Sequence, residues 1–284
     1  MAVWTNLTQD HLDYHGGMEA YFAAKASLFA AGRSRLAVVN GDDAWGRRLL
    51  GQLEVPAVTY TLADAEDLRL APRHSAFRWR GAAVELPIGG RHNVANALAA
   101  ATTAAALGAA PEAIAEGLAT AAPVRGRWEP VEAGQPFTVV VDYAHTPDGL
   151  EQVLTAARDA AGGHRVLVVF GCGGDRDRAK RPRMAAVATS LADVAFLTTD
   201  NPRSEDPLVI IEEAAAGAAP GASLVVEPDR RAAIALAVGR AAPGDIVVVA
   251  GKGHETGQIV GDRVLPFDDR DVARDALLKA AAGW

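Results

Sequence analysis

Only one cysteine is present, Cys172, so no disulfide can form within the chain, and a reducing compartment fits. Excess positive charge is also missing. Lys and Arg total 28 against 35 Asp and Glu, for a net charge of −7. That balance favours solubility and argues against non-specific nucleic-acid binding. The N-terminal stretch up to Ala20 holds no Lys or Arg but does hold Asp10 and Asp13, so a secretory signal peptide is not expected there. No run approaches the roughly 20 strongly apolar residues of a membrane helix. The most apolar long segment, 97–115, is mostly Ala and Thr and is broken by Gly108 and Pro111. Internal repeats and low-complexity tails are absent as well. A G-x-x-x-x-G-K-[ST] phosphate loop is found nowhere: in GKGHETG, Lys252 is followed by Gly253. These absences leave a cytoplasmic globular protein with no nucleic-acid or membrane partner expected. With 284 residues, half of them hydrophobic, it has material for one large domain or two ordinary ones.

The N-terminal part mixes element types. Met18, Tyr21, Phe22, Leu28 and Phe29 recur at helical spacing within 17–31, and Lys25 falls on the same stripe. RLAVVN (35–40) predicts a strand, followed by a turn and a helix with Asp42 or Asp43 as N-cap. Residues 75–88 alternate loosely around Gly81, which predicts a hairpin. Two Ala-rich helices follow, 92–107 and 111–121, the second opening on Pro111. The segment PVRGRWEPVEAGQPFT has prolines and aromatics but no period, and it places a domain boundary around 128. Beyond it, apolar strands FTVVVDYA, RVLVVFG, VAFLTT, SLVVE and DIVVVAG alternate with helices over 146–160, 181–191, 207–217 and 230–241. A hairpin (258–266) and a last helix (269–281) close the chain. Continuous Val/Ile/Leu runs mark strands buried on both faces, and their alternation with helices predicts a doubly wound α/β domain over 129–284.

In such sheets ligands bind outside the carboxyl ends of the strands. This sequence puts unusual residues there repeatedly: DYAHTPD (Asp142, His145), GCGGDRDRAKRP (Asp175, Arg176, Asp177), DNPRSEDP (Asp200, Asn201, Arg203) and GKGHETG (Lys252, His254, Glu255). Capping alone explains any one of these loops, but capping favours Ser, Thr, Asp and Asn rather than arginines and a Lys-Gly-His-Glu run. Together they predict a ligand crevice. Arginine forks bind carboxylates in bidentate fashion, and Glu255 with the Asp residues suits an ammonium, so a zwitterion such as an amino acid fits. Arg176 could instead simply pair with Asp175 or Asp177 on a solvated loop.

Near the N-terminus, DHLDYH packs two carboxylates and two imidazoles into a short stretch ahead of Lys25. Asp10 or Asp13 could be a cap and His15 a surface residue. A lysine on an apolar stripe ordinarily snorkels to water. If it cannot, burial favours the neutral amine, which can add carbon dioxide and become a carbamate. His11 and such a carbamate could then share one Mg²⁺.

TNLTQDHLDYHGGMEAYFAAK, RHNVANALAAA, RGRWE, VVVDYAHTPDGLEQVL, FGCGGDRDRAKRPRM, TTDNPRSEDP and VVVAGKGHE are long motifs spread over nearly the whole chain. In sequence and order they resemble the Mur ligases, and within that family the branch that adds the third amino acid of peptidoglycan. The resemblance implies the C-terminal portion of the central ATP-binding domain over 1–128 and the amino-acid-binding, Rossmann-like C-terminal domain over 129–284. It implies a carbamylated Lys25 and a Mg²⁺ ligand at His11. His92, Asn93, Asn96, Arg127, Asp142 and His145 would face the nucleotide, and Arg176, Asp200, Asn201, Arg203, Gly251 and Glu255 would hold the amino acid. The DNPR form resembles the meso-diaminopimelate type, with Arg203 on the extra carboxylate. The implied reaction is ATP-dependent amide formation through an acyl phosphate on a UDP-muramoyl dipeptide. The small-molecule partners would be ATP, meso-diaminopimelate and that precursor, and the chain would be a monomer.

The family carries its phosphate loop and UDP-sugar-binding domain ahead of the NLTxDHLDYH motif, and both are absent here. A different class also stands, a non-catalytic module that holds an amino acid or nucleotide without turnover. A third is a folyl-polyglutamate type of ligase, against which the pairing of DNPR with GCGGDRD argues. The chain by itself is expected not to ligate. Diaminopimelate-dependent ADP release well above background, measured on this 284-residue chain, would overturn that expectation.

Overall fold

The computed structural model describes residues 1–9 and 15–281, and the chain divides into two compact units, Met1–Ala122 and Pro123–Trp284. In the first unit, β1 (Ala2–Trp4), β2 (Ala37–Asn40) and β3 (Ala57–Tyr60) form a parallel sheet in that order. Ala37, Val38 and Val39 are fully buried, as a central apolar strand requires. The stripe carrying Lys25 becomes α1 (Met18–Ala26), which tightens into a short 3₁₀ turn over Ser27–Phe29 and ends where Ala30 turns extended. Asp43 caps α2 (Ala44–Leu50) by accepting from the Gly46 N–H at 2.7 Å, and it also accepts the Trp4 indole N–H at 2.8 Å.

The hairpin around Gly81 consists of β5 (Ser75–Trp79) and β6 (Ala82–Leu86), with β4 (Glu66–Leu70) added along β5. Nothing in the periodicity pointed to β4. It is an edge strand exposing Glu66, Asp67 and Arg69, so it lacks the apolar alternation that marks a half-buried strand. The Ala-rich segments form α3 (Arg91–Ala106) and α4 (Pro111–Ala119). Val94, Leu98 and Ala101 of α3 pack with Phe77, Trp79, Val84 and Leu86.

The second unit is built on a six-stranded sheet: β7 (Glu129–Pro130), β8 (Thr138–Asp142), β9 (Val166–Cys172), β10 (Val194–Thr199), β11 (Leu224–Val226) and β12 (Ile246–Ala250). The spatial order is β11-β10-β9-β12-β8-β7. All neighbours are parallel except β7, which runs antiparallel on the β8 edge. One face is covered by α5 (Pro147–Ala161), α6 (Lys180–Leu191) and α7 (Pro207–Ala215) through Leu150, Leu154, Met184 and Ile210. The other is covered by α8 (Arg230–Arg240) and α9 (Asp269–Ala280) through Ile234, Val238, Val272 and Leu277. Alternate residues of each strand feed the two cores, so every residue of β9 and β12 is buried. A two-stranded hairpin, β13 (Gly257–Val260) and β14 (Arg263–Pro266), precedes α9. No helix among the described residues is long and apolar enough to cross a membrane.

The starts of α8 and α9 are joined by a fully buried ion pair. Arg230 donates to Asp269 through Nε–Oδ1 at 2.8 Å and Nη2–Oδ2 at 2.7 Å, and Nη2 also reaches the Ala250 carbonyl at 2.9 Å. Removing one partner strands the other charge in the interior. Asp269→Ala is expected to cost about 3–5 kcal/mol, read as a lower urea midpoint; an unchanged midpoint would show that the guanidinium finds other partners.

Candidate functional site

Parallel strands deliver their carboxyl ends to one edge, and register sets which loops become neighbours. Thr199 lies opposite Cys172, and Ala250 opposite Asp142. The loop of residues 200–206 therefore starts beside Gly173, and the loop of residues 251–256 starts beside Asp142.

Lys252, on the second of these loops, reaches toward the first and has no exposed side-chain surface. Its ammonium donates to Asn201 Oδ1 at 3.0 Å and Glu255 Oε2 at 3.2 Å, with Asp200 Oδ1 at 3.9 Å. Asn201 in turn donates from Nδ2 to Glu255 Oε2 at 2.9 Å and accepts the Ile259 N–H at 2.9 Å. Asp200 and Asn201 are buried, whereas the Glu255 side chain keeps 34% exposure. Gly251 adopts φ +121°, and a Cβ there would lie 2.6 Å from Asp200 Oδ2, so only glycine fits between β12 and the Asp200 carboxylate. Asp200, Asn201, Gly251 and Glu255 are thus one connected group.

Both arginine side chains pass close to Gly173, Arg203 with its guanidinium and Arg176 with its aliphatic stem. A Cβ on that glycine would fall 2.9 Å from Arg203 Nη1 and 3.9 Å from Arg176 Cγ. Arg203, half-buried and at φ +52°, donates from Nη1 to the Gly174 carbonyl at 2.8 Å, and no hydrogen bond of its Nε or Nη2 occurs among the described residues. Its backbone pairs with the hairpin: Arg203 N–H donates to Ile259 O and Gly261 N–H to Arg203 O. Arg176 is exposed, with Nη1 on the Asp175 carbonyl at 2.9 Å. No ion pair of Arg176 with Asp175 or Asp177 occurs among the described residues.

A staple holds these loops together. Asp175 accepts from the Ser204 hydroxyl at 2.7 Å and the Ser204 N–H at 3.1 Å, while the Asp175 N–H donates to Glu205 Oε1 at 2.6 Å. Fully buried Arg181 donates to both Glu205 oxygens and to Glu213. The Arg181 guanidinium and then the Asp175 N–H hold the Glu205 carboxyl down at about 2. Cys172, beneath this loop pair, is pushed up to about 12 by burial, which leaves it an unreactive thiol at neutral pH.

Residues 123–128, ahead of the boundary that sequence places around 128, belong to the second compact unit. The reason is backbone contact. A Cβ on Gly126 would sit 2.1 Å from the His254 nitrogen, and Trp128 is buried in the core beneath α5. Beside them Tyr143 gathers cationic and aromatic neighbours: the Arg127 guanidinium at 4.5 Å, His145 edge-on at 4.6 Å and His254 at 5.2 Å. The Lys180 ammonium reaches the His145 carbonyl at 3.1 Å. Arg127 and His145 therefore share one cluster. Asp142 is buried beside them, but its carboxylate is engaged by the backbone, with Oδ2 accepting the Trp128 N–H at 2.7 Å and Oδ1 the Ala144 N–H at 2.8 Å.

In the first unit, His92, Asn93 and Asn96 lie in the opening turns of α3. Asn93 donates from Nδ2 to the Gly89 carbonyl at 2.8 Å, and Asn96 is exposed. Lys25 is half-buried. Its ammonium donates to the Asn6 carbonyl at 2.9 Å and lies over the Trp4 and Tyr21 rings at 5.3 and 5.6 Å. Burial lowers its pKa, opposed by the Asp43 charge. His11, Asp10 and Asp13 lie outside the described residues. Among the described residues no group of three or more His, Cys, Asp and Glu could hold a metal ion.

Sequence reasoning placed Lys252 on a crevice loop but gave it no role of its own, and it missed Arg230, Arg181 and Glu205 altogether. For Lys252 a signal existed: a lysine flanked by glycines immediately after an all-apolar buried strand has nowhere to go but inward or across the sheet edge. The Arg230–Asp269 and Arg181–Glu205 partners are 39 and 24 residues apart, and no local pattern announces them.

Residues 1–104 match the Mur ligase middle domain, and residues 126–253 match the Mur ligase glutamate ligase domain. A UDP-N-acetylmuramoyl-L-alanyl-D-glutamate–2,6-diaminopimelate ligase from Solibacter usitatus (strain Ellin6076) is 49% identical over 97% of this chain. The chain spans 58% of that relative's length. A solved structure of a ligase of the same name is 36% identical, covering 98% of this chain and 60% of its own, with a TM-score of 0.63. MurF from Acinetobacter baumannii, at 20% identity, covers 89% of this chain and 56% of its own with a TM-score of 0.70, a likeness of fold alone.

The Glu205 staple has a pH signature. Its folded value of about 2 lies below the ordinary 4.5, so its contribution to stability is fully present above 4.5 and is lost as pH falls from there toward 2. Unfolding midpoints of the unaltered chain should fall across that window, and Glu205→Gln should flatten the fall. A slope that Glu205→Gln leaves unchanged would assign it to other carboxylates.

Proposed function

The chain belongs to the Mur ligase family, and we propose that it serves ATP-dependent amide formation in peptidoglycan precursor synthesis, with meso-diaminopimelate as the incoming amino acid. The observation that carries this is the close approach of the Arg203 guanidinium and the Arg176 stem to Gly173, next to the linked Asp200, Asn201 and Glu255. One edge of the crevice thus offers the Arg203 guanidinium, with exposed Arg176 rooted beside it, and the other carboxylates, which suits a zwitterion. Arg203 is held by Nη1 on the Gly174 carbonyl, so Nε and Nη2 are left for a second carboxylate, which diaminopimelate has and lysine lacks. Glu255 accepts from the ammonium side.

On this proposal ATP passes its γ-phosphoryl group to the glutamate side-chain carboxylate of a UDP-muramoyl dipeptide, giving an acyl phosphate and ADP. The amine of diaminopimelate attacks the acyl carbon, and the tetrahedral intermediate releases phosphate. The crevice contributes by holding the amine in place, the kind of positioning that removes much of a bimolecular barrier. Arg127, Tyr143 and His145 offer a cationic, aromatic surface of the kind that suits a nucleotide. On the first unit His92, Asn93 and Asn96 are assigned to the nucleotide in this proposal; on the second, Asp142 supports the aromatic surface by fixing Trp128 and Ala144 rather than by direct contact.

Lys25 suits carbamylation, because burial shifts its amine toward the neutral, nucleophilic form. As a carbamate, with His11, it would hold Mg²⁺, which offsets charge on phosphates when bound. A monomer in the cytoplasm belongs to the same proposal.

Titration calorimetry with meso-diaminopimelate, L-lysine, D-glutamate and ATP tests it. Diaminopimelate should bind more tightly than lysine or glutamate. Arg203→Ala should weaken diaminopimelate about tenfold or more, the usual worth of a charged hydrogen bond, and change lysine binding little. Equal affinity for lysine and diaminopimelate would reject the diaminopimelate assignment; heat from ATP alone would favour a nucleotide-binding module.

A further inference from the structure

We propose that Lys252 is a positioning residue of the amino-acid crevice: its buried ammonium pins Glu255 through Oε2 and so presents Oε1 to the ammonium group of the incoming amino acid. This rests on the amino-acid reading above and assigns a role to a side chain that cannot itself touch a ligand. Lys252 has no exposed surface, whereas Glu255 keeps about a third of its own. Both donors from the buried side, Lys252 and Asn201, are spent on Oε2.

Lys252 Nζ and Asn201 Nδ2 both point at Oε2, at 3.2 and 2.9 Å. No hydrogen bond to Oε1 occurs among the described residues. The Asn201 amide has a single orientation that satisfies its partners: Oδ1 receives Lys252 Nζ at 3.0 Å and the Ile259 N–H at 2.9 Å, while Nδ2 faces the carboxylate. Reversing the amide would set its NH₂ against two donors. Lys252, Asn201 and Glu255 therefore lock one another, and the lock ends in one outward-facing carboxylate oxygen.

The backbone is built to put the lysine there. Gly251 at φ +121° and Gly253 at φ +52° bracket it, so the chain turns sharply on either side, sends Lys252 inward and returns His254 and Glu255 toward solvent. A buried ammonium is costly, and a well-packed apolar side chain of similar volume would often be as stable or more so. Orientation of the residues around it is the gain that a Met at this position could not supply. Asp200 Oδ1, 3.9 Å from Nζ, lies on the same ammonium and ties the lock to the loop that carries Arg203.

A double-mutant cycle separates this role from general support of the fold. Affinity for meso-diaminopimelate is measured by calorimetry on the 284-residue chain, on Lys252→Met, on Glu255→Gln and on the double variant, with thermal unfolding recorded for each. Each single substitution should weaken binding about tenfold or more. In the double variant the two losses should not multiply: its affinity should match that of Glu255→Gln to within about twofold, since Lys252 acts through Glu255. Wild-type affinity in Lys252→Met, or losses that multiply in the double variant, would overturn the positioning role. If Lys252→Met does not fold, Lys252→Gln, which keeps a donor without the charge, takes its place in the cycle with the same two outcomes. No binding by the unaltered chain would overturn the amino-acid reading and this role together; binding with multiplying losses would overturn this role alone.

Discussion

Strands β8, β9, β10 and β12 run in one direction and in lateral register, and that constraint determines what the second unit can do. Neighbouring strands stand only about 4.8 Å apart. Loops that leave adjacent strand ends are therefore forced within reach of one another's side chains. Thr199 opposite Cys172 brings the Arg203 loop to Gly173; Ala250 opposite Asp142 brings the Lys252 loop to Tyr143. A register slip of one residue would invert every side chain of a strand and destroy both cores, so the hydrophobic pattern that stabilises the sheet also fixes the crevice. Folding energy and the placing of these loops come from the same hydrogen-bonded ladder.

Around that edge the protein accepts an unusual load of buried charge. Arg181, Arg230, Lys252 and Asp269 have no exposed side-chain surface. Each is paired, and each pair joins segments far apart in sequence: Arg181 links α6 to the Glu205 loop, Arg230 links α8 to α9, and Lys252 links two loops. Such pairs add little net stability over apolar packing. They do make one arrangement of the loops much better than its neighbours, which matters where a small ligand must be met by several groups at once.

Much of the second unit was legible in the sequence, because its signals are local. Val/Ile/Leu runs marked β8 to β12, and the Pro of HTPD falls where α5 begins. The charged and amide residues at the strand ends were legible as types, since topology places such positions together. What stayed hidden depends on where side chains turn. Asp142 reads as a ligand-facing carboxylate, yet both oxygens are occupied by backbone N–H groups. Lys252 reads as one of several charged residues on a glycine-rich loop of the crevice, and that its side chain is fully buried is not legible from type alone. The edge strand β4 carries charges where a pattern search expects apolar residues. In the first unit α1 ends a turn earlier than its apolar stripe, because Leu28 and Phe29 continue the spacing in a 3₁₀ turn rather than in α-helix.

The hairpin β13–β14 divides its labour between its strands. The inner strand supports the crevice through backbone and amide groups: the Ile259 N–H on Asn201, Gln258 Nε2 on the Asp200 carbonyl at 2.7 Å, and the bridge between Val260 and Arg203. The outer strand is open to solvent throughout, with Val264 68% exposed. The two strands therefore tolerate substitution differently. Because most of the inner strand's contacts are made by main-chain atoms, substitutions along it can accumulate without moving Asn201 or Arg203, provided Gln258 persists and no proline removes the Ile259 N–H. The outer strand is free to change in side-chain character, whereas the tip stays tied to the Arg203 loop by the Gly261 N–H on the Arg203 carbonyl at 2.7 Å.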